Sequence, residues 1–296
     1  MAISAKMVKE LREKTGAGLM DCKKALVEND GNMEEAIQWL REKGISKAEK
    51  KASRVAAEGV AEVRTEGNTG IIFELNCETD FVAKNEKFKS LVQRIGDALI
   101  DAKVASVEEA WDVELDGKAL KDQLLEETST IGEKISLRRY EIVTKEDDQV
   151  FGEYVHFGGS IASLVVLDAG DEEVAKNIAM HVAASNPQYV SRDEISQEVI
   201  EKETEILRAQ ALNENAESDK PKPENIIDKM VIGRLNKNFK DICLLSQPYV
   251  KNPDESVKAY LKAKDASVVL FKRLAVGEGI EKKEENFAEE VMSQSR

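Results

Sequence analysis

Val60-Ala61-Glu62-Val63-Arg64-Thr65-Glu66-Gly67-Asn68-Thr69-Gly70-Ile71-Ile72-Phe73-Glu74-Leu75 is the stretch over which the hydrophobic period of this chain changes. Val60 to Thr65 reads as a strand, Glu66 to Gly70 is rich in turn residues, and Ile71 to Leu75 is apolar enough to be the partner strand of a hairpin. A loop, Asn76 to Ala83, follows. Phe88, Leu91, Val92, Ile95 and Leu99 then recur at helical intervals, which predicts a helix packed on the sheet. The same pattern returns further on, with strands at Arg139 to Val143 and Phe151 to Phe157, a turn at His156 to Ser160, the apolar strand Ile161 to Leu167, and a helix with Val174, Ile178 and Val182 inward. Matching architecture, rather than residue identity, suggests a duplicated sheet-and-helix core.

Upstream, the period is helical. Ser4 can cap a helix that carries Met7, Val8 and Leu11 on one face, and Thr15-Gly16-Ala17-Gly18 breaks it. Leu19, Cys22, Ala25 and Leu26 mark a second helix up to Asn29-Asp30-Gly31. Asn32 can cap a third, with Glu35 placed for a capping box and Ile37 and Leu40 inside. Three short helices followed by the charged stretch Lys43 to Arg54, itself expected to be helical, make a small docking bundle on a linker. Downstream, Ile195, Val199, Ile206 and Ala209 lie at heptad-like spacing. Pro221 and Pro223 then interrupt, and Ile226, Ile227 and Met230 resume, so an antiparallel helical hairpin with a polar tip is expected to project as an arm. Asp265 to Leu274 reads as a strand, Val276 to Gly279 as a turn, and Lys282 to Met292 as a terminal helix. The expected class is α+β, divided as residues 1–54 (bundle and linker), 55–138 and 139–280 (the two core units, the second with the hairpin at about 190–232), and 281–296 (a C-terminal helical module).

Net charge is −14, from 57 acidic and 43 basic residues, which argues against binding a phosphate backbone as the main activity. Residues 1–54 depart from this trend, with 12 Lys and Arg against 9 Asp and Glu, so a solvated helical surface and a docking face for an acidic partner are both open there. The cysteines Cys22, Cys77 and Cys243 are far apart and form no CxxC pair, so neither a disulfide framework nor a zinc cluster is expected. Met1 to Lys14 does not have the pattern of a signal peptide, and no apolar run is long enough to span a membrane, so the expected location is the cytoplasm.

Little in the sequence suggests bond chemistry. There is no GxxxxGK[ST] loop, so no nucleotide site of that type is expected in the chain itself. His156, in a turn before Gly158-Gly159, and His181, on a helix, have no metal-binding spacing, and neither a metal nor a cofactor is expected. Cys77 stands next to Glu78 and Asp80, whose charges would raise a thiol pKa, so an ordinary buried cysteine fits better than a nucleophile. Asn76-Cys77-Glu78-Thr79-Asp80-Phe81-Val82-Ala83-Lys84-Asn85 stands out as an aromatic in a polar strand-to-helix loop. Phe81 could plug the local core, with Asp80 capping the next helix, or it could be an exposed wedge that inserts into a partner.

Three runs resemble the elongation factor Ts family, the nucleotide-exchange factors of bacterial translation: Leu11 to Leu26 (LREKTGAGLMDCKKAL), Cys77 to Asn85, and Val276-Gly277-Glu278-Gly279-Ile280-Glu281. Their order and separation fit that family along essentially the whole chain. The resemblance implies a first module similar to ubiquitin-associated three-helix domains, for which Gly31 to Ile37 and Trp39-Leu40 supply the last helix. It also implies docking of this module on elongation factor Tu, with Val8, Met20 and Lys23 as candidates. Thr79, Asp80, Phe81 and Val82 match the family segment that intrudes beside the partner's nucleotide and disturbs its magnesium ion, and His156 matches a turn histidine that makes a secondary contact. The implied function is exchange of GDP for GTP on elongation factor Tu, without bond chemistry. Before Val276 the family often has an aromatic-acidic pair where this chain has Leu274-Ala275, which sets some contacts of the terminal module apart. A docking scaffold with no effect on exchange is the alternative reading. Thr79 to Val82 separates the two, since a core plug leaves the scaffold open and an exposed segment favours exchange.

Overall fold

A computed structural model gives the fold and describes residues 3–218 and 220–281. It is an α+β protein. The expected terminal helix from Lys282 to Met292 lies outside the described residues.

The bundle forms as its caps dictate. Helix α1 (Ala5–Thr15) starts where the Ser4 hydroxyl accepts from the Met7 N–H, and it ends where Gly16, at φ 68, turns its N–H back to the Arg12 carbonyl. Helix α2 (Leu19–Glu28) follows, and Asn32 Oδ1 accepts from the Glu34 and Glu35 N–H groups to open α3 (Met33–Lys51). The charged linker is thus part of a single long helix. Leu11, Cys22, Ala25, Leu26 and Ala36 fill the bundle's centre, with Ile37 and Leu40 packed around them. Val8 is buried among them at 7% exposure, because the apolar stripe of α1 turns inward, which removes it from the docking candidates.

Strands β1 (Glu58–Glu66) and β2 (Thr69–Cys77) form the expected hairpin, with Glu66 opposite Thr69. The chain then passes through the single turn α4 (Asp80–Ala83), α5 (Glu86–Ala102), the single turn α6 (Val107–Ala110), the two-residue strands β3 (Glu114–Leu115) and β4 (Lys118–Ala119), and α7 (Leu120–Ile131). It returns in β5 (Ser136–Thr144), which pairs antiparallel with β2. This corrects the expected division at 139, because the strand assigned to the second unit closes the first sheet, β1-β2-β5. The second unit repeats the plan. Strands β6 (Val150–His156) and β7 (Ile161–Leu167) form a hairpin, α8 (Glu172–Ser185) follows, and β10 (Val268–Ala275) returns to pair with β7. Between α8 and β10 lie α9 (Gln197–Ala216), α10 (Glu224–Ile242), β8 (Pro248–Tyr249), β9 (Asn252–Ser256) and α11 (Val257–Lys262).

Period-two alternation stacks the units face to face. Ile71, Phe73, Leu75 and Cys77 point toward α5 with Phe88, Leu91, Val92, Ile95 and Leu99, while Val165 and Leu167 point toward Val174, Ile178 and Val182 of α8. The opposite faces meet each other through Ala61, Ile72, Ala162 and Leu274, and through Val63, Val143, Leu164 and Val166. The layers are therefore helix, sheet, sheet, helix. Strand β2 is covered on both faces, which is why all nine of its residues are buried, including the polar Glu74 and Asn76 that alternate with Phe73, Leu75 and Cys77.

One charge sits in that seam. Glu74 is fully buried and accepts from Arg139 Nε at 2.5 Å, Arg138 Nη1 at 3.1 Å, Asn76 Nδ2 at 2.9 Å and the Gly277 N–H at 2.8 Å. Burial by itself would raise its pKa. The hydrogen bonds from Gly277, Asn76 and Arg139 outweigh that and hold the carboxyl below the usual glutamate range.

The helical hairpin keeps part of the expected stripe, with Ile195 and Ile227 inward, and departs from it along the body of α9. Leu207 and Ala211 of α9 meet Ile227, Val231, Leu235 and Phe239 of α10, while Val199 and Ile206 are exposed. The inward stripe is offset by one residue, a rotation of about 100° on a helix of 3.6 residues per turn. The tip, as expected, is polar and holds Pro221 and Pro223, the latter at the N-cap of α10.

Candidate functional site

The segment 77–85 leaves the buried end of β2 and is fixed at every step. The Cys77 thiol donates to the Thr79 carbonyl at 3.2 Å, and the Thr79 hydroxyl accepts from the Val82 N–H. Thr79, rather than Asp80, is therefore the N-cap of α4. Asp80 is its first helical residue and pairs with Lys84 Nζ at 2.6 Å, a hydrogen bond that holds the Asp80 carboxyl below the usual aspartate range. Asn85 caps α5 by accepting from the Lys87 N–H at 2.9 Å. With caps only six residues apart, one helical turn is all that fits between them. Val82 and Ala83 pack on the core beneath α5. Phe81 is left 83% exposed, so it is not a core plug. Large apolar side chains this exposed on a rigid mount are a usual mark of a contact surface.

The other candidates are dispersed. Met20 (73% exposed) and Lys23 share the outer face of α2, where Val27 is also exposed. His156 ends β6 with its Nδ1 2.9 Å from the Tyr154 hydroxyl. The turn that follows bonds the edge of the first sheet, with the Ala61 N–H donating to the Gly159 carbonyl at 2.7 Å. Since α4 also packs on β1, the turn and the Phe81 segment flank the same strand. Phe157 was not singled out from the sequence. It is 85% exposed at φ 44, with its ring 4.1 Å from that of His156, and the signal that could have found it is the one that marked Phe81: an aromatic in a polar turn.

All three cysteines are buried. Burial, reinforced by the charge of Glu133, pushes the Cys77 thiol up to about 12. His181 lies in the core, where Nδ1 accepts from the Val250 N–H at 3.1 Å and Nε2 meets Gln247 Oε1 at 2.9 Å. Burial lowers its pKa, so it is a neutral structural residue. Among the described residues no group of three or more His, Cys, Asp or Glu is arranged to hold a metal ion. A cleft of about 450 Å³ between the bundle and α7 is lined by residues such as Lys24, Trp39 and Lys118 and includes none of residues 77–85.

The family model described as Elongation factor TS matches residues 78–278, well over half of the chain. The chain belongs to the elongation factor Ts family. This places it among the nucleotide-exchange factors of translation elongation and implies elongation factor Tu as the protein it binds. The match opens on Glu78, at the start of the exposed segment. It closes on Glu278, within the Val276 to Glu281 run, which is bonded to the first sheet: Gly277 bonds the buried Glu74, Arg138 Nη2 donates to the Glu278 carbonyl at 2.6 Å, and just before the run Arg139 Nη2 donates to the Ala275 carbonyl at 2.6 Å. Among the described residues no helix is long and apolar enough to cross a membrane.

Proposed function

We propose that this elongation factor Ts homologue binds GDP-bound elongation factor Tu in the cytoplasm, inserts Phe81 beside the partner's nucleotide site, and displaces the elements that hold magnesium and the phosphates. Magnesium bridges phosphate oxygens and protein ligands, so shifting its holders weakens both sets of contacts and GDP leaves. The factor and GDP then each weaken the other's binding by the same factor, and GTP, binding the nucleotide-free complex, releases the factor. Nucleotide is bound by the partner and not by this chain.

The observation that carries this reading is Phe81, 83% exposed on a one-turn helix capped by Thr79 and followed at once by Asn85, the cap of α5. A scaffold needs no such projection. Thr79 supplies the cap, Asp80 and Lys84 the ionic rim, and Val82 the seat on the core. Met20 and Lys23 of α2 form the docking face of the bundle, and His156 with Phe157 makes the secondary contact. The test is release of a fluorescent GDP analogue from elongation factor Tu, followed by stopped flow at fixed magnesium. Acceleration by substoichiometric protein is expected. Binding without acceleration would establish the scaffold instead.

A further inference from the structure

The one-turn helix bearing Phe81 is too short to hold its own shape, because isolated helices of that length are unstable in water. What holds it is a carboxylate from another part of the chain. Glu133 Oε2 accepts from both the Glu78 N–H (3.1 Å) and the Thr79 N–H (3.0 Å), and Oε1 accepts from the Thr79 hydroxyl (2.7 Å). The bond is returned: the Glu78 carboxylate accepts from the Lys134 N–H at 2.6 Å and faces Arg54 Nη1 at 3.3 Å. Glu133 follows Gly132, the left-handed C-cap of α7 at φ 90, so its backbone is fixed by that helix end. The end of α3 is fastened to the same turn, through Lys51 Nζ to the Gly132 carbonyl at 2.5 Å, and Lys134 Nζ reaches the Arg54 carbonyl at 3.0 Å.

We infer that Glu133 is a positioning residue for exchange, clasping the 78–79 backbone so that Phe81 meets the partner on a rigid mount. This rests on the reading of Phe81 as the wedge. A wedge that must displace the partner's structure transmits force only if its base does not yield, and a loop that must be ordered on contact spends binding free energy on its own ordering. The clasp therefore acts on the rate at saturation more than on encounter, for which the exposed face of α2 is available. Glutamine at 133 keeps the size but removes the charge and one acceptor oxygen, so its single oxygen serves either the two N–H groups or the Thr79 hydroxyl, through a weaker neutral bond.

The experiment compares the full-length wild type, Glu133→Gln, Phe81→Ala and the double variant in GDP release from elongation factor Tu, alongside amide hydrogen exchange of each free protein. Glu133→Gln should speed exchange of the Glu78 and Thr79 amides at least about tenfold while leaving β2 and α5 protected. It should lower the maximal release rate about tenfold to a hundredfold, the range for lost hydrogen bonds to a charged acceptor, with the half-saturating concentration within about twofold. In the Phe81→Ala background it should cause no further loss. A maximal rate equal to wild type, or a loss that adds in full to that of Phe81→Ala, would overturn the inference. Should Glu133→Gln not fold, Glu78→Gln, which loosens the reciprocal bond, is read by the same criteria. A wild-type chain that leaves GDP release unchanged overturns the wedge reading itself, an outcome told apart from failure of the clasp by the two amide exchange rates.

Discussion

Removing the Phe81 ring should separate activity from stability. In the free protein the side chain is 83% exposed, so Phe81→Ala gives up almost no buried surface, and the change in unfolding free energy should stay within about 0.5 kcal/mol. Alanine is also the better helix former, which favours α4 slightly. In the complex the same ring would be buried. Burying a phenylalanine is worth about 1.5–3 kcal/mol relative to leaving it in water, and at about 1.4 kcal/mol per tenfold this corresponds to a loss of roughly tenfold to more than a hundredfold in accelerated GDP release. Thermal denaturation and stopped-flow release of a fluorescent GDP analogue, measured on one preparation, check both halves. Full exchange activity in Phe81→Ala would refute the wedge, and a large fall in melting temperature would show that the ring supports the fold.

Other consequences follow from the buried groups and turns. Glu74→Ala leaves the Gly277 N–H without its acceptor and takes from Arg138 and Arg139 one of their acceptors, and should destabilise the protein by about 1.5–3 kcal/mol in chemical denaturation. Because the Glu74 pKa is lower folded than unfolded, its contribution is complete above the ordinary glutamate range and is lost as pH falls through the folded value, so the acid limb of the stability profile should flatten in Glu74→Gln. Phe157→Gly relieves a left-handed backbone at φ 44 without removing a buried side chain, and should raise the unfolding free energy by up to about 1 kcal/mol; a lower melting temperature would contradict this. Thiol reagents near pH 8 should leave the native protein unmodified and fully active, since Cys22, Cys77 and Cys243 are buried, with labelling appearing only on denaturation.

What could be read from the sequence was local. The β1–β2 hairpin, the α5 and α8 faces and the caps at Ser4 and Asn32 each depend on residues within a few positions of one another, and each forms as its pattern requires. The pairing of β5 with β2 spans four intervening helices, and periodicity has no access to it. The hairpin stripe was ambiguous for another reason. Val199-Ile200, Ile206-Leu207 and Ile226-Ile227 are adjacent apolar pairs, so two stripes compete and only the facing helix selects between them. At the site, Phe81 was legible as an anomaly because it is aromatic among polar residues. Glu133 was not, since it acts 54 residues from Thr79 and looks in sequence like an ordinary turn residue after a glycine.

The carboxylate of Glu74 has a further meaning for a chain made from its N-terminus onward. One of its partners, the Gly277 amide, lies 203 residues downstream, and the guanidinium groups of Arg138 and Arg139 precede that amide by well over a hundred residues. During synthesis the first sheet can be completed once residue 144 has emerged, and β6 and β7 can cover much of its open face by residue 167, but the part that meets Leu274 and Gly277 stays wet until β10 and the turn after it arrive. Glu74 can stay hydrated at that open part and become a buried anchor when Gly277 reaches it, so the stretch of the seam that closes last is the one that carries the charge.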